Sequence, residues 1–323
     1  MTRRRILTSL MSNHLSGEGG VELSVGQPDE VHGDKGALIS TTETVQLKIS
    51  ILMCAFNEQQ RIEQAINEVL TTRYPCDVEL IVVDDGSTDD TALVAEKIRD
   101  PRLTVYRHEV NQGKGRALRT AADYATGTHI LPFDADLEYS SEDIPRLIEP
   151  LIKRRYNVVY GARIFGFNTV YQSYRYAVGN RMFTRLANML FDASISDLHT
   201  CLKLVPLALF RRLDLRQPGF GLDTELTAVL LRLGIRPFEV PISYYSRSHA
   251  QGKKINWHDA LACVAILLRV RTRRKKRLFV QATESITVRP EVMEQSGTVH
   301  HELLPCFPIT GLPNGEPDAV ATS

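Results

Sequence analysis

Residues 78–90 read Val-Glu-Leu-Ile-Val-Val-Asp-Asp-Gly-Ser-Thr-Asp-Asp. The run from Val78 to Val83, aliphatic except for Glu79, is too short for a helix and has the composition of a buried strand. It stops on two carboxylates and a Gly-Ser turn, after which helical periodicity begins. A strand that feeds a helix in this way is the repeating unit of a parallel sheet, because the helix carries the chain back to start the next strand. Ile49 to Ala55, Leu103 to Tyr106, Ile130 to Phe133 and Val158 to Tyr160 are further runs of the same kind. Their alternation with helical segments predicts an α/β fold: a Rossmann-like, mostly parallel sheet with helices on both faces. Two helix starts are expected from capping boxes, at Asn57 with Gln60 and at Ser87 with Asp90.

The flanks differ from this core. Residues 1–46 and 278–323 lack either periodicity and carry net charges of −2 and −5, against +1 for the whole chain of 323 residues, so the middle carries +8. We expect a mobile N-terminal extension over 1–46, one catalytic domain over 47–269, and a basic segment with a mobile acidic tail over 270–323. The near-neutral total argues against a surface built for nucleic acid, and no nucleic-acid partner is expected. The cysteines at 54, 76, 201, 263 and 306 form no Cys-x-x-Cys pair and no zinc-type cluster, which suits a reducing, cytoplasmic compartment. No run of 18 apolar residues is present, so no membrane-spanning helix is expected.

In an open α/β sheet, ligands bind beyond the carboxyl ends of the strands, so the strand-to-helix junctions are where chemistry is sought. The first junction, Cys54-Ala55-Phe56-Asn57-Glu58, has no glycine. That excludes the Gly-rich dinucleotide fingerprint, which lets a pyrophosphate approach the backbone. Gly113-Lys114-Gly115 is followed by Arg and Ala, so it is not a Walker loop. At the second junction Asp84 and Asp85 can hydrogen-bond a ribose or a base edge, or Asp85 can simply cap the next helix. At the fourth, Asp134-Ala135-Asp136 offers hard oxygen ligands to Mg²⁺ or Mn²⁺, an ion that also binds diphosphate. An isolated Asp-x-Asp is common by chance; this one shares a predicted sheet edge with Asp84 and Asp85.

Together these motifs resemble family 2 glycosyltransferases, the inverting nucleotide-sugar enzymes of GT-A fold, and within them the polyprenyl-phosphate (dolichol-phosphate mannose synthase-like) branch. The resemblance runs from about Lys48 to about Arg269. It implies that Cys54, Ala55, Phe56 and Glu58 line the nucleotide pocket, with Cys54 and Phe56 where relatives have proline and tyrosine. It implies that Asp84 and Asp85 read the nucleoside, and that Lys114 lies in the N-x-G-K-G segment Asn111–Gly115. Asp134, Ala135 and Asp136 match the metal motif, with Glu138 as a further ligand. Gly161-Ala162-Arg163, Ser196-Asp197 with Lys203, and Gly219 to Glu225 match later motifs, and Cys201 replaces a glycine. Arg247 with Gly252-Lys253-Lys254 resembles the mobile loop that closes over the pyrophosphate and the acceptor phosphate.

The chemistry so implied is transfer of one sugar, with inversion, from a UDP- or GDP-linked donor to polyprenyl phosphate. The leaving diphosphate has to be neutralised as the anomeric carbon becomes cationic, a role for the metal at Asp134 and Asp136 and for Arg247, Lys253 and Lys254. Arg163 and Arg181 are candidate ligands of the acceptor phosphate, with a salt-bridged or solvated arginine as the alternative for each. A hydroxyl acceptor would need a base, for which Glu225 and Asp223 are candidates, whereas a phosphate is already anionic. Ala260 to Leu268 is apolar and runs into bases at 269, 271 and 273–277, the pattern of a segment lying on an anionic membrane surface or, equally, of a buried helix with a basic tail. Arg175 to Phe191 reads as an amphipathic helix facing lipid or core. Peripheral association with the inner face of the membrane is the expected location. The competing readings are transfer to a soluble or glycan hydroxyl and a catalytically silent nucleotide-binding module.

Overall fold

The computed structural model describes residues 46–153, 155–163, 169–170, 174–246 and 257–279. Strand β1 (Lys48–Ala55) is fully enclosed by the sheet. Ile49, Ile51, Met53 and Ala55 enter one apolar layer, and Leu52 and Cys54 enter the other. A strand buried on both faces has no polar face, which is why it reads as a continuous apolar run and not as an alternation. Strands β2 (Asp77–Asp84) and β4 (His129–Asp134) flank β1 in parallel, and β3 (Leu103–Arg107) pairs with β2.

Beyond β4 lie β5 (Val159–Ala162), β7 (Lys203–Pro206) and β8 (Phe238–Pro241), giving the order β3-β2-β1-β4-β7-β5-β8. Strand β7 runs antiparallel to both its neighbours, so the sheet is mostly parallel, as expected. A separate parallel pair joins β6 (Thr169–Val170) to β9 (Tyr244–Tyr245).

Helices cover both faces. On one lie α1 (Ile62–Thr71), α2 (Thr91–Lys97) and α4 (Ile144–Ile152). On the other lie α3 (Lys114–Tyr124), α5 (Tyr174–Phe191), α6 (Leu207–Arg212), α7 (Gly221–Arg232) and α8 (Trp257–Thr272). Each docks by an apolar stripe; in α1 it is Ile62, Ala65, Ile66 and Val69. Burying each of the larger three contributes roughly 1.5–3 kcal/mol. The register sets Ala55 opposite Asp84, Cys54 opposite Asp134 and Asp84 opposite Arg107, so β1 to β4 end along one edge.

Two expectations change. Neither Asn57 nor Ser87 caps a helix: α1 starts at Ile62 and α2 at Thr91, both without a side-chain cap. Asn57 adopts a left-handed backbone (φ 56°), which asparagine tolerates and which turns the chain aside. Its N–H donates to Ser87 Oγ at 2.9 Å and its Oδ1 accepts from Thr88 N at 2.9 Å, so the two residues tie neighbouring loops together. The body also continues past the expected limit at 269. Helix α8 ends at Thr272, a 3₁₀ turn spans Lys275–Leu278, and Leu278 is wholly buried with its carbonyl accepting from Asp214 N at 2.8 Å. The expected extensions otherwise lie outside the described residues.

Candidate functional site

The edge formed by the ends of β1, β2 and β4 is where the expected residues meet. Asp84 is fully buried; Ser87 donates to it through both N–H and Oγ, and Arg107 Nε lies 3.4 Å away. Asp85 accepts from Gln112 N at 3.0 Å and Gly113 N at 2.7 Å, and meets His108 Nδ1 at 2.7 Å. Both aspartates therefore hold loops in place, and Asp85 in particular fixes the turn that precedes Lys114. Phe56, directly after β1, is 41% exposed. Ala55 and Ala135 are buried at their strand ends. Glu58 pairs with Arg61 at 3.0 Å, and its N–H donates to Thr91 Oγ1 at 2.9 Å.

Lys114 is the hub. Its Nζ lies 2.7 Å from Asp134 Oδ1, 3.0 Å from Oδ2 and 3.5 Å from Asp223 Oδ2. Burial opposes its charge, yet Asp134, Cys201 and Asp223 hold its pKa well above the usual lysine value. Burial likewise opposes ionisation of Asp223, but Lys114 and Lys203 outweigh it and keep the carboxyl below the usual range. Lys203 is wholly buried, with Nζ 2.9 Å from the Asp223 carbonyl and 3.5 Å from its Oδ1. Cys54 Sγ donates to the Lys114 carbonyl at 3.7 Å, and burial pushes its thiol far up, so it packs and does not react.

The two glycines beside Lys114 are required by the backbone that crosses them. Gly113 has φ 92°, and a Cβ there would lie 2.6 Å from the Pro218 carbonyl; at Gly115 it would lie 2.4 Å from the Gln217 carbonyl. Glu225 holds that crossing segment. Its Oε2 accepts from Arg216 N at 2.7 Å and Gln217 N at 2.8 Å, and its Oε1 is 3.8 Å from Arg273. Glu225 thus anchors the loop through these bonds, and Asp223 is the carboxylate beside Lys114.

Three further placements concern expected residues. Glu138 is 7% exposed and accepts from Tyr244 OH at 2.5 Å, while Asp136 Oδ1 accepts from Glu138 N at 3.1 Å. Among the described residues no group of three or more acidic, His or Cys side chains is placed to hold a metal. Asp134 and Asp136 stand at the end of the strand as hard oxygen donors that fit an ion completing its shell with diphosphate and water, and Asp134 also meets Lys114. Arg163 is buried and bound two-pronged to Asp197 at 2.6 and 2.8 Å, with its guanidinium 4.8 Å from the Tyr244 ring. Its fork is taken up by Asp197, the salt-bridged alternative named for it above. Arg181 is exposed on α5. Arg247, Lys253 and Lys254 lie outside the described residues. Arg107, which ends β3, and His108, which follows it, are absent from the expected set, although the strand-end rule that selects Asp84 and Asp134 applies equally there.

The mostly parallel sheet with its acidic strand-end cluster defines a GT-A fold. A solved glucosyl-3-phosphoglycerate synthase from Mycobacterium tuberculosis, in complex with Mn²⁺, UDP and glucosyl-3-phosphoglycerate, superposes with TM-score 0.52 at 21% identity, covering 70% of this chain and 80% of that one. The chain belongs to glycosyl transferase family 2, whose model matches residues 50–213, half of its length. Glycosyltransferase AglD from Haloferax volcanii is 26% identical over 257 residues, 75% of this chain but 41% of AglD. A dodecaprenyl-phosphate galacturonate synthase from Rhizobium johnstonii is 33% identical over 129 residues, 38% of each chain. This chain thus spans well under two thirds of these two relatives.

Proposed function

We propose that this chain moves a single sugar from a UDP- or GDP-linked donor to a polyprenyl phosphate, with inversion and with Mg²⁺ or Mn²⁺ at Asp134 and Asp136. The observation that carries the reading is the cluster in which Lys114 meets Asp134 and Asp223 at the carboxyl edge of the sheet. Phe56 supplies a face for the base, and the turn held by Asp85 places Lys114 to take up diphosphate charge. When bound, the divalent ion neutralises the leaving diphosphate. Arg247 and Lys253 or Lys254, expected from the sequence to add positive charge at the diphosphate, lie outside the described residues.

Between Lys114 and Lys203 the Asp223 carboxyl stays ionised below the usual range, which makes it a weak base toward a hydroxyl acceptor, whereas a phosphate acceptor needs no such base. The galacturonate synthase relative is named for a polyprenyl phosphate, and the mycobacterial synthase was also solved with UDP, Mn²⁺ and phosphoglyceric acid, another phosphorylated compound.

The outer surface supports a lipid. Val178, Met182 and Met189 on α5 are exposed in one stripe with Arg181 and Arg185, and Leu261 and Leu268 are exposed on α8 beside Arg269. Cys263, Ile266, Leu267 and Val270 face the core, so α8 is divided between core and surface. No helix among the described residues is long and apolar enough to cross a membrane. Exposed apolar side chains next to bases suit peripheral contact with anionic lipid.

The test is incorporation of labelled sugar into a solvent-extractable lipid by purified protein with short-chain polyprenyl phosphate, Mn²⁺ or Mg²⁺ and a panel of UDP- and GDP-sugars. A metal-dependent lipid product, lost in Asp136→Ala, is expected. Metal-dependent donor hydrolysis without lipid product would redirect the search to a soluble acceptor.

A further inference from the structure

A cavity of about 660 Å³ lies apart from the Lys114 cluster, between the C-terminal half of α1, the 137–145 segment and β9. Its size falls within the roughly 300–1,000 Å³ typical of small-molecule sites. Its floor is tied together where the Thr72 and Ser141 hydroxyls lie 2.7 Å apart and 2.8 and 3.0 Å from the Glu68 carbonyl, their two protons shared among the three contacts. One wall is also tied down, since Tyr245 N donates to the Glu138 carbonyl at 2.9 Å.

The rim carries planar polar groups. Gln64 Nε2 donates to Glu68 Oε1 at 2.8 Å, and Arg73 and Glu142 are exposed with no ion pair among the described residues. Beside them the Tyr245 ring stands 51% exposed. Two carboxylates against one guanidinium make the lining net negative, which disfavours phosphate and other anions. Leu137 and Pro145 are the lining's only aliphatic side chains, so an apolar ligand finds little to bury against. What remains is a neutral ligand rich in hydroxyls. Carboxylate, amide and guanidinium groups can each bond a pair of adjacent hydroxyls, and an aromatic face packs on the C–H face of a pyranose.

We infer that this cavity is a non-catalytic carbohydrate site that holds a short neutral oligosaccharide, with its sugar faces on Tyr245 and its hydroxyls on Arg73, Glu68 and Glu142. The inference stands whichever acceptor the transfer reaction uses. Leu137, the residue between Asp136 and Glu138, is part of the lining, so a ligand here would touch the chain next to the metal motif.

The experiment is saturation-transfer NMR on the full chain with neutral di- and trisaccharides of glucose, mannose, galactose and N-acetylglucosamine. Saturating UDP and diamagnetic Mg²⁺ are present throughout to fill the nucleotide site, and the variants below separate this cavity from any sugar bound at the donor or acceptor subsite. At least one oligosaccharide is expected to bind, and Tyr245→Ala and Arg73→Ala are each expected to weaken it by about tenfold or more. Both positions are exposed, so both variants should keep the parent melting temperature and donor turnover. The inference is overturned if no sugar of the panel binds below about 10 mM, or if binding survives both substitutions. Loss of lipid product in the transfer assay, with sugar binding intact, would strike the acceptor reading alone.

Discussion

Replacing Glu225 by glutamine separates the two roles open to a buried carboxylate near a transfer site, anchor or base. In the structure its Oε2 accepts two backbone N–H groups, from Arg216 at 2.7 Å and Gln217 at 2.8 Å, and the residue is 3% exposed. Hydrogen bonds to a charged group contribute about 1.5–3 kcal/mol each, against about 1 for neutral partners. Glutamine keeps an acceptor but loses the charge, which weakens the pair by roughly 2 kcal/mol in total. For a domain of this size that lowers Tm by about 4–8 °C. Glu225→Ala leaves both N–H groups unsatisfied, at about 1–3 kcal/mol each, and should melt lower still. The released segment is the one that crosses Gly113 and Gly115, so the alanine variant should also raise the donor KM. Metal-dependent donor turnover of Glu225→Gln, measured well below its Tm, is expected to stay within about threefold of the parent, whereas removing a general base lowers rates by about 10²–10⁴. A hundredfold loss of kcat, or about that, with Tm unchanged would refute the anchor role and make Glu225 the base.

Other outcomes follow from the same geometry. Arg163→Met strands the fully buried Asp197 carboxylate and should destabilise by about 3–5 kcal/mol in urea unfolding, with part recovered in Arg163→Met/Asp197→Leu; a double variant no more stable than the single one would contradict a pairwise role. His199 is held neutral by burial and by Lys203, its pKa down to about 4. Between pH 6.5, near which the unfolded histidine titrates, and about 4, the unfolded chain binds a proton that the folded one refuses. Stability should therefore fall over that window by up to about 3 kcal/mol, less in His199→Gln, and a flat urea midpoint from pH 7 to 5 would exclude it. Gly113→Ala forces a Cβ to 2.6 Å from the Pro218 carbonyl at φ 92° and should raise the donor KM with a stability loss of about 1–3 kcal/mol; unchanged kinetics and melting would show that the two backbones do not meet. The protein should float with anionic liposomes at low salt and be released at high salt, and no flotation at low salt would count against a lipid acceptor.

What the sequence by itself determined is local. Strand identity, the α/β class and the edge bearing Asp84, Asp85, Asp134 and Asp136 were legible because a doubly buried strand must be apolar throughout and must end where polar residues begin. The partners of the buried charges were not legible, since those are chosen by packing between distant segments. Tyr244 reaches Glu138 across 106 positions, Asp197 reaches Arg163 across 34, and Gly113 reaches Asp85 across 28. A carboxylate in a motif looks the same on the page whether it faces a ligand or an amide. The interior partners of Glu138, Arg163 and Glu225, and the meeting of Lys114, Asp134 and Asp223 at the sheet edge, come from the packing of distant segments. The reason is desolvation: a buried charge must take whichever partner the fold brings within hydrogen-bond reach, and no pattern of neighbours along the chain names that partner.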